Sequence, residues 1–236
     1  MRPRFVQRLG PADVITVVDG MVGFAAAAAA ATGNPWLAAR LVLLAAMGDG
    51  LDGVVARRTG GSAVGEYLDS LADVAAFGVA PGLLVIASVR AGWRLPAALT
   101  GRWAVAVVVP ALFLGAVLVR LAFYTADQTK IEHTIGVPST LAATVLAATV
   151  LAGHAEPAVL LVGSLGLSYL MLADIRYPDL LARDALIMGV VQALAVLVPS
   201  AIGRTFPYAL LTLALAYLVF GPAFYWRDWA ASGARA

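Results

Sequence analysis

About eight stretches of roughly 20 mainly apolar residues, parted only by short polar breaks, leave this 236-residue chain a single class of fold. A bilayer offers no water to the backbone, so each spanning segment must satisfy its own N–H and C=O groups and becomes a helix. The charged residues, 13% of the chain, are too few for a soluble domain, which carries about a quarter. Mean hydropathy is +0.88. The expected fold is all-α, a polytopic membrane helix bundle forming one domain over residues 1–236.

The spans read as 12–32, 36–57, 66–89, 103–124, 136–153, 157–174, 184–200 and 206–225. Gly33-Asn34-Pro35, Glu156-Pro157 and Arg176-Tyr177-Pro178 are among the breaks, each with turn or charge chemistry. The N-terminus has basic residues before an apolar run, as a signal peptide has. No cleavage site follows, and GFAAAAAAATG extends the run to spanning length, so a retained first span is expected. The alanines from Ala25 to Ala31 read as a close-packing surface, and Trp93, Trp103 and Trp226 as interfacial aromatics.

With the N-terminus in the cytoplasm, the inside collects Arg2, Arg4, Arg8, Arg57, Arg58, Arg120, Lys130, Arg176, Arg183, Arg227 and Arg235. The outside keeps Arg40, Arg90, Arg94, Arg102 and Arg204. That bias follows the positive-inside rule. A formal net charge of +2 leaves no excess to attract nucleic acid. The absence of cysteine, with only His133 and His154, removes disulfides, thiol chemistry and the usual zinc sites. A hard, oxygen-liganded ion remains open.

Against this apolar background the segment DGLDGVVARRTGGSAVGEYLDSLAD sets Asp49, Asp52, Asp69 and Asp73 close together. Residues three or four apart share a helix face. Asp49, Asp52, Gly53 and Ala56 therefore form one stripe at the inner end of the second span, and Gly65, Asp69 and Asp73 another at the start of the third. A short loop makes these spans antiparallel neighbours whose acids can face one another. Two unit charges about 4 Å apart repel by roughly 4 kcal/mol at an effective dielectric near 20, and divalent cations relieve that cost. Oxygen ligands favour Mg²⁺, Mn²⁺ or Ca²⁺, and a pair of ions suits phosphoryl-type displacement. Gly53, Ala56 and Gly65 clear space beside the acids, and Arg57 offers bidentate bonding to phosphate.

The same residues carry a family resemblance. The segment resembles the signature DxxDGxxAR…GxxxDxxxD of the CDP-alcohol phosphatidyltransferases, its fixed positions filled by Asp49, Asp52, Gly53, Ala56, Arg57, Gly65, Asp69 and Asp73. Seven residues separate Arg57 from Gly65, one fewer than is usual in that family. LDSLADVAAFGVAPG, VRLAFYT, IGVPSTLAA and DIRYPDL are similar to the phosphatidylserine synthase branch, archaetidylserine synthases included. The resemblance implies a six-helix catalytic core over about 12–180 followed by two C-terminal helices over about 184–226. It also implies transfer of a phosphatidyl group from a CDP-lipid, CDP-diacylglycerol or CDP-archaeol, to the hydroxyl of L-serine, with release of CMP.

In that reaction Asp49, Asp52, Asp69 and Asp73 would hold Mg²⁺ or Mn²⁺, two ions in all, and Asp73 would also act as general base. Asp52, Gly53, Ala56, Arg57 and Gly65 would contact the CDP-lipid, and Arg120 would bind serine's carboxylate or the lipid phosphate. Asp19 and Asp174 are further candidates for substrate contact. The implied setting is an integral protein of the cell membrane with its active site facing the cytoplasm, membrane lipids around it and a homodimer as one assembly. Glycerol phosphate or inositol phosphate is the alternative acceptor, but such acceptors need more cationic residues than the inner side offers. A divalent cation transporter also uses intramembrane carboxylates. Its sites lie near the midplane in repeated halves, whereas these acids cluster at one end without a second copy.

Overall fold

The computed structural model describes residues 9–95, 100–126, 134–177 and 182–233, with side chains at all of these except 182–185 and 224–233. Arg2, Arg4, Arg8, Lys130, His133, Pro178 and Arg235 lie outside the described residues, as do the side chains of Arg183, Trp226 and Arg227. Within this set the chain forms α1 (Pro11–Ala31), α2 (Pro35–Thr59), α3 (Gly65–Asp73), α4 (Ala80–Trp93), α5 (Gly101–Ala126), α6 (Ser139–Ala152), α7 (Pro157–Leu172), α8 (Ala182–Leu197) and α9 (Thr205–Gly233). A π-helical turn, Val74–Val79, joins α3 to α4 in one continuous rod. Each expected span therefore has its helix, and the all-α bundle is the observed fold.

Local chemistry sets the boundaries. Pro11, Pro35 and Pro157 open their helices at the first position, where the missing N–H has no intrahelical partner to lose. Asn34 caps α2 by accepting the Leu37 N–H through Oδ1 at 3.0 Å. At the other end α2 runs two residues past its expected limit before Gly60 ends it, and the third rod continues to Trp93, past its expected end at 89.

Four helical segments are long and apolar enough to cross a membrane, namely Pro11–Ala31, Gly65–Trp93, Gly101–Ala126 and Ala201–Ala223. The helices of 139–152, 157–172 and 186–197 are apolar but shorter. α2 has the length, yet carries Arg40, Asp49, Asp52, Arg57 and Arg58. Large apolar side chains stand on the outer surface, with Phe24 74% and Phe123 71% exposed. Such a surface is stable against lipid, and the chain is an integral membrane protein.

Small residues let the inner helices approach closely. Ala26, Ala27, Ala29 and Ala30 are buried where α1 lies along α2, as are Ala38, Ala39 and Ala45 opposite them, which bears out the packing reading of the alanine run. The tightest approach is at Gly23. A Cβ there would fall 2.6 Å from the Ala76 Cα, on the backbone of the π-helical turn. That turn has a local cause as well. Pro81 lacks the N–H that would bond to Phe77, and its ring would press on the Phe77 carbonyl in a regular α-helix; widening the turn just before it relieves both problems.

Two strands depart from the purely helical expectation. β1 (Thr134–Ile135) and β2 (Arg176–Tyr177) pair antiparallel, with Thr134 opposite Tyr177 and Ile135 opposite Arg176. This ribbon ties the segment before α6 to the segment after α7, and α6 accordingly begins at Ser139 and not at 136.

Gly23→Ala is expected to destabilise the bundle by about 1–3 kcal/mol through overpacking against Ala76. Gly115→Ala, which meets nothing within 4 Å, serves as its control. Thermal unfolding of both variants in one detergent checks this; equal midpoints would show that the α1 contact has slack.

Candidate metal and substrate site

Asp49 and Asp52 lie in the second half of α2, one turn apart, and Asp69 and Asp73 lie one turn apart on α3. The 60–64 connection returns the chain into α3, and α1 packs against both α2 and α3. The acidic stripes meet as their spacing requires. One carboxylate oxygen each from Asp49, Asp69 and Asp73 lies within 4.8 Å of the others.

Asp52 is held differently. Its Oδ2 accepts a 2.7 Å hydrogen bond from Thr16 Oγ1 on α1, so this buried carboxylate leans toward α1 and stands beside the trio. Asp49 accepts a 3.2 Å bond from Thr140 Oγ1 at the start of α6. Two hydroxyls from distant helices thus orient the α2 acids. Asp19 is buried next to α2, in space that Gly48 leaves open: a Cβ at Gly48 would collide with its carboxylate.

The acids border a cavity of about 340 Å³ that opens between α1, α2 and α3. Asp49, Asp52 and Asp69 line it together with Gly53, Ala56 and Gly65, and Asp13, Thr16, Ser62 and Glu66 complete the wall. Asp73 is buried and does not border the cavity. Arg57 is exposed at the end of α2 and bends back, its Nη1 3.5 Å from where a Cβ on Gly53 would stand. Arg120, on α5, does not border the cavity; its guanidinium carbon is 4.4 Å from the Tyr124 ring centroid. Asp174 is exposed on the segment following α7 and does not border the cavity. His154 contacts the Tyr208 ring at 5.6 Å, away from the acids.

This donor set fits a hard cation. The trio offers carboxylate oxygens only, and no described basic side chain forms an ion pair with it. Oxygen-only coordination is what Mg²⁺, Mn²⁺ and Ca²⁺ take. The glycine and alanine wall lets a ligand reach the backbone of α2 and α3.

Thr16 and Thr140 escape a reading by motif. Thr16 nevertheless leaves a trace, because Asp13, Thr16 and Asp19 recur every three residues in an apolar span and so mark a polar stripe on α1. Thr140 leaves none; its role depends on where α6 happens to pack against α2.

Residues 10–174 match the family model of the CDP-alcohol phosphatidyltransferases. The archaetidylserine synthase of Methanothermobacter thermautotrophicus is 30% identical over 169 residues, covering 70% of this chain and 68% of that protein. The CDP-diacylglycerol-serine O-phosphatidyltransferase of Bacillus subtilis is 32% identical over 131 residues, 55% of this chain and 68% of its own. The Mycobacterium tuberculosis protein of the same name is 37% identical over 117 residues, 49% and 37% of the two chains. With the acidic stripes brought together beside a glycine-walled cavity, and a family match over most of its length, the chain belongs to the CDP-alcohol phosphatidyltransferase family and is a transferase of that class.

Proposed function

We propose that this enzyme is a CDP-lipid:L-serine phosphatidyltransferase. The observation that carries the reading is the convergence of Asp49, Asp69 and Asp73 on one point beside a cavity walled by Gly53, Ala56 and Gly65. The relatives named for serine transfer, with diacylglycerol and with archaeol lipids, support the acceptor.

Asp49, Asp52, Asp69 and Asp73 would hold a divalent metal, Mg²⁺ or Mn²⁺ as a pair of ions, which would supply positive charge to offset that of the diphosphate and of the departing CMP. Asp52, Gly53, Ala56, Arg57 and Gly65 receive the CDP portion; the small residues admit it close to the helix backbones and Arg57 closes over its phosphates. Thr16 keeps Asp52 turned into the cavity wall, and Thr140 does the same for Asp49. Asp73 takes the proton from the serine hydroxyl. The serine oxygen then forms its bond to the lipid-bearing phosphorus as the bond from that phosphorus to CMP breaks. Arg120 meets the carboxylate of serine or the lipid phosphate.

The catalytic core comprises the six rods from α1 through α7, with α8 and α9 as additions. The bias of arginine in the loops supports an orientation in the cell membrane with the cavity facing the cytoplasm. A phosphorylated acceptor would need more positive charge than the exposed Arg57 and the Arg120 of α5 supply, which favours serine over glycerol phosphate or inositol phosphate.

Purified protein given CDP-diacylglycerol or CDP-archaeol, Mg²⁺ or Mn²⁺, and serine, glycerol phosphate or inositol phosphate in parallel is expected to release CMP only with serine and to stop when the metal is chelated. Release with a phosphorylated acceptor instead would overturn the assignment. Asp73→Asn is expected to bind CDP-lipid normally and to lose about 10²–10⁴-fold in kcat, the range of a general base; near-normal turnover would take Asp73 out of that role. For Asp69→Ala, the metal titration of CMP release is expected to move to higher concentration as the rate falls. An unchanged titration would mean that Asp69 is no ligand.

A further inference from the structure

Two fixed points place Arg120 against Asp73. The hydroxyls of Ser70 on α3 and Thr125 on α5 share a 2.6 Å hydrogen bond. Further along the same pair of rods, Gly78 lies against Leu114 and Val117. The rods run in opposite directions between these points, so the turn bearing Arg120 faces the turn bearing Asp73, and the guanidinium is within electrostatic reach of that carboxylate. Its Nε is buried and, among the described residues, has no hydrogen-bond partner. A buried donor is costly to leave unmatched, and a guanidinium fork matches a carboxylate.

Tyr124 fixes this guanidinium in place. Its ring lies under the Arg120 cation at 4.4 Å, and its phenol is held on both sides by one residue. The hydroxyl donates to the Ile135 carbonyl at 2.8 Å and accepts from the Ile135 N–H at 2.7 Å. Ile135 in turn belongs to the β1–β2 ribbon, opposite Arg176. At the next position of the ribbon, Tyr177 donates to the Leu218 carbonyl of α9 at 3.2 Å and stacks on Tyr217 at 5.8 Å. An unbroken series of contacts therefore runs from α9 through the ribbon and Tyr124 to Arg120.

We infer that Tyr124 is a positioning residue for the acceptor: it holds Arg120 as the anchor of serine's carboxylate beside Asp73, and α9 supports that anchor through Tyr177. This deepens the serine-transfer reading and rests on it. It also gives the last helix a task in acceptor affinity.

The test is steady-state CMP release by the full chain in detergent, with serine and CDP-diacylglycerol titrated separately. Tyr124→Phe keeps the ring and removes both bonds to Ile135; it is expected to raise KM for serine by roughly tenfold, the equivalent of one or two lost hydrogen bonds, with KM for CDP-diacylglycerol within about twofold. Tyr177→Phe is expected to raise the same KM by a smaller factor, about twofold to threefold. An unmoved serine KM in Tyr124→Phe, or an equal rise in both KM values, would overturn the inference. Wild-type protein that releases no CMP with serine would refute the acceptor reading, and the carboxylate anchor with it; normal wild-type turnover beside an unmoved variant sinks only the positioning role.

Discussion

Everything in this bundle is arranged around the mutual repulsion of carboxylates in a poorly polar place. Asp49, Asp69 and Asp73 bring oxygens within 4.8 Å of one another, a separation at which a pair of charges costs on the order of 4 kcal/mol even in a fairly polarisable surrounding. A fold stable by about 5–15 kcal/mol in all relieves several such pairs through a cation that joins them or a proton taken up by one of them. An arrangement of this cost therefore favours a cation among the acids. Thr16 and Thr140 keep two of the acids in fixed orientations, and Gly48 leaves room for a further acid, Asp19, at the edge of the same group.

Close helix approach is the second requirement. α1, α2 and the third rod must come near enough for the acids of two helices to share a ligand, and they do so on alanine and glycine. Hydrophobic attraction between helices is weak in lipid, so packing of small surfaces carries the association. The contact of Gly23 with the backbone at Ala76 lies one turn from Asp73 along the third rod, so the packing that stabilises the bundle also helps to place that acid.

Much of this is legible in the sequence because the relevant spacings are local. Asp49 with Asp52, and Asp69 with Asp73, share faces by helical periodicity alone, and the short 60–64 connection keeps the acidic ends of α2 and α3 close. What periodicity does not contain is the division of the four acids into a trio and a separate Asp52, because that depends on a hydroxyl 36 residues away in the chain. The ribbon of 134–135 with 176–177 is likewise hidden, being two residues long on each side and made by loops that only the tertiary fold brings together. Pro81 signals a disturbed helix, while the location of the relief, in the turn before it, is a matter of tertiary packing.

The π-helical turn at Val74–Val79 falls between the last acid and the apolar remainder of its rod. A wider turn advances by less angle per residue than an α-helix, so it acts as a phase shifter: the azimuth of α4 against its neighbours is offset from that of α3. Acids on one side of the turn and apolar packing on the other thus lie at offset azimuths along a single rod.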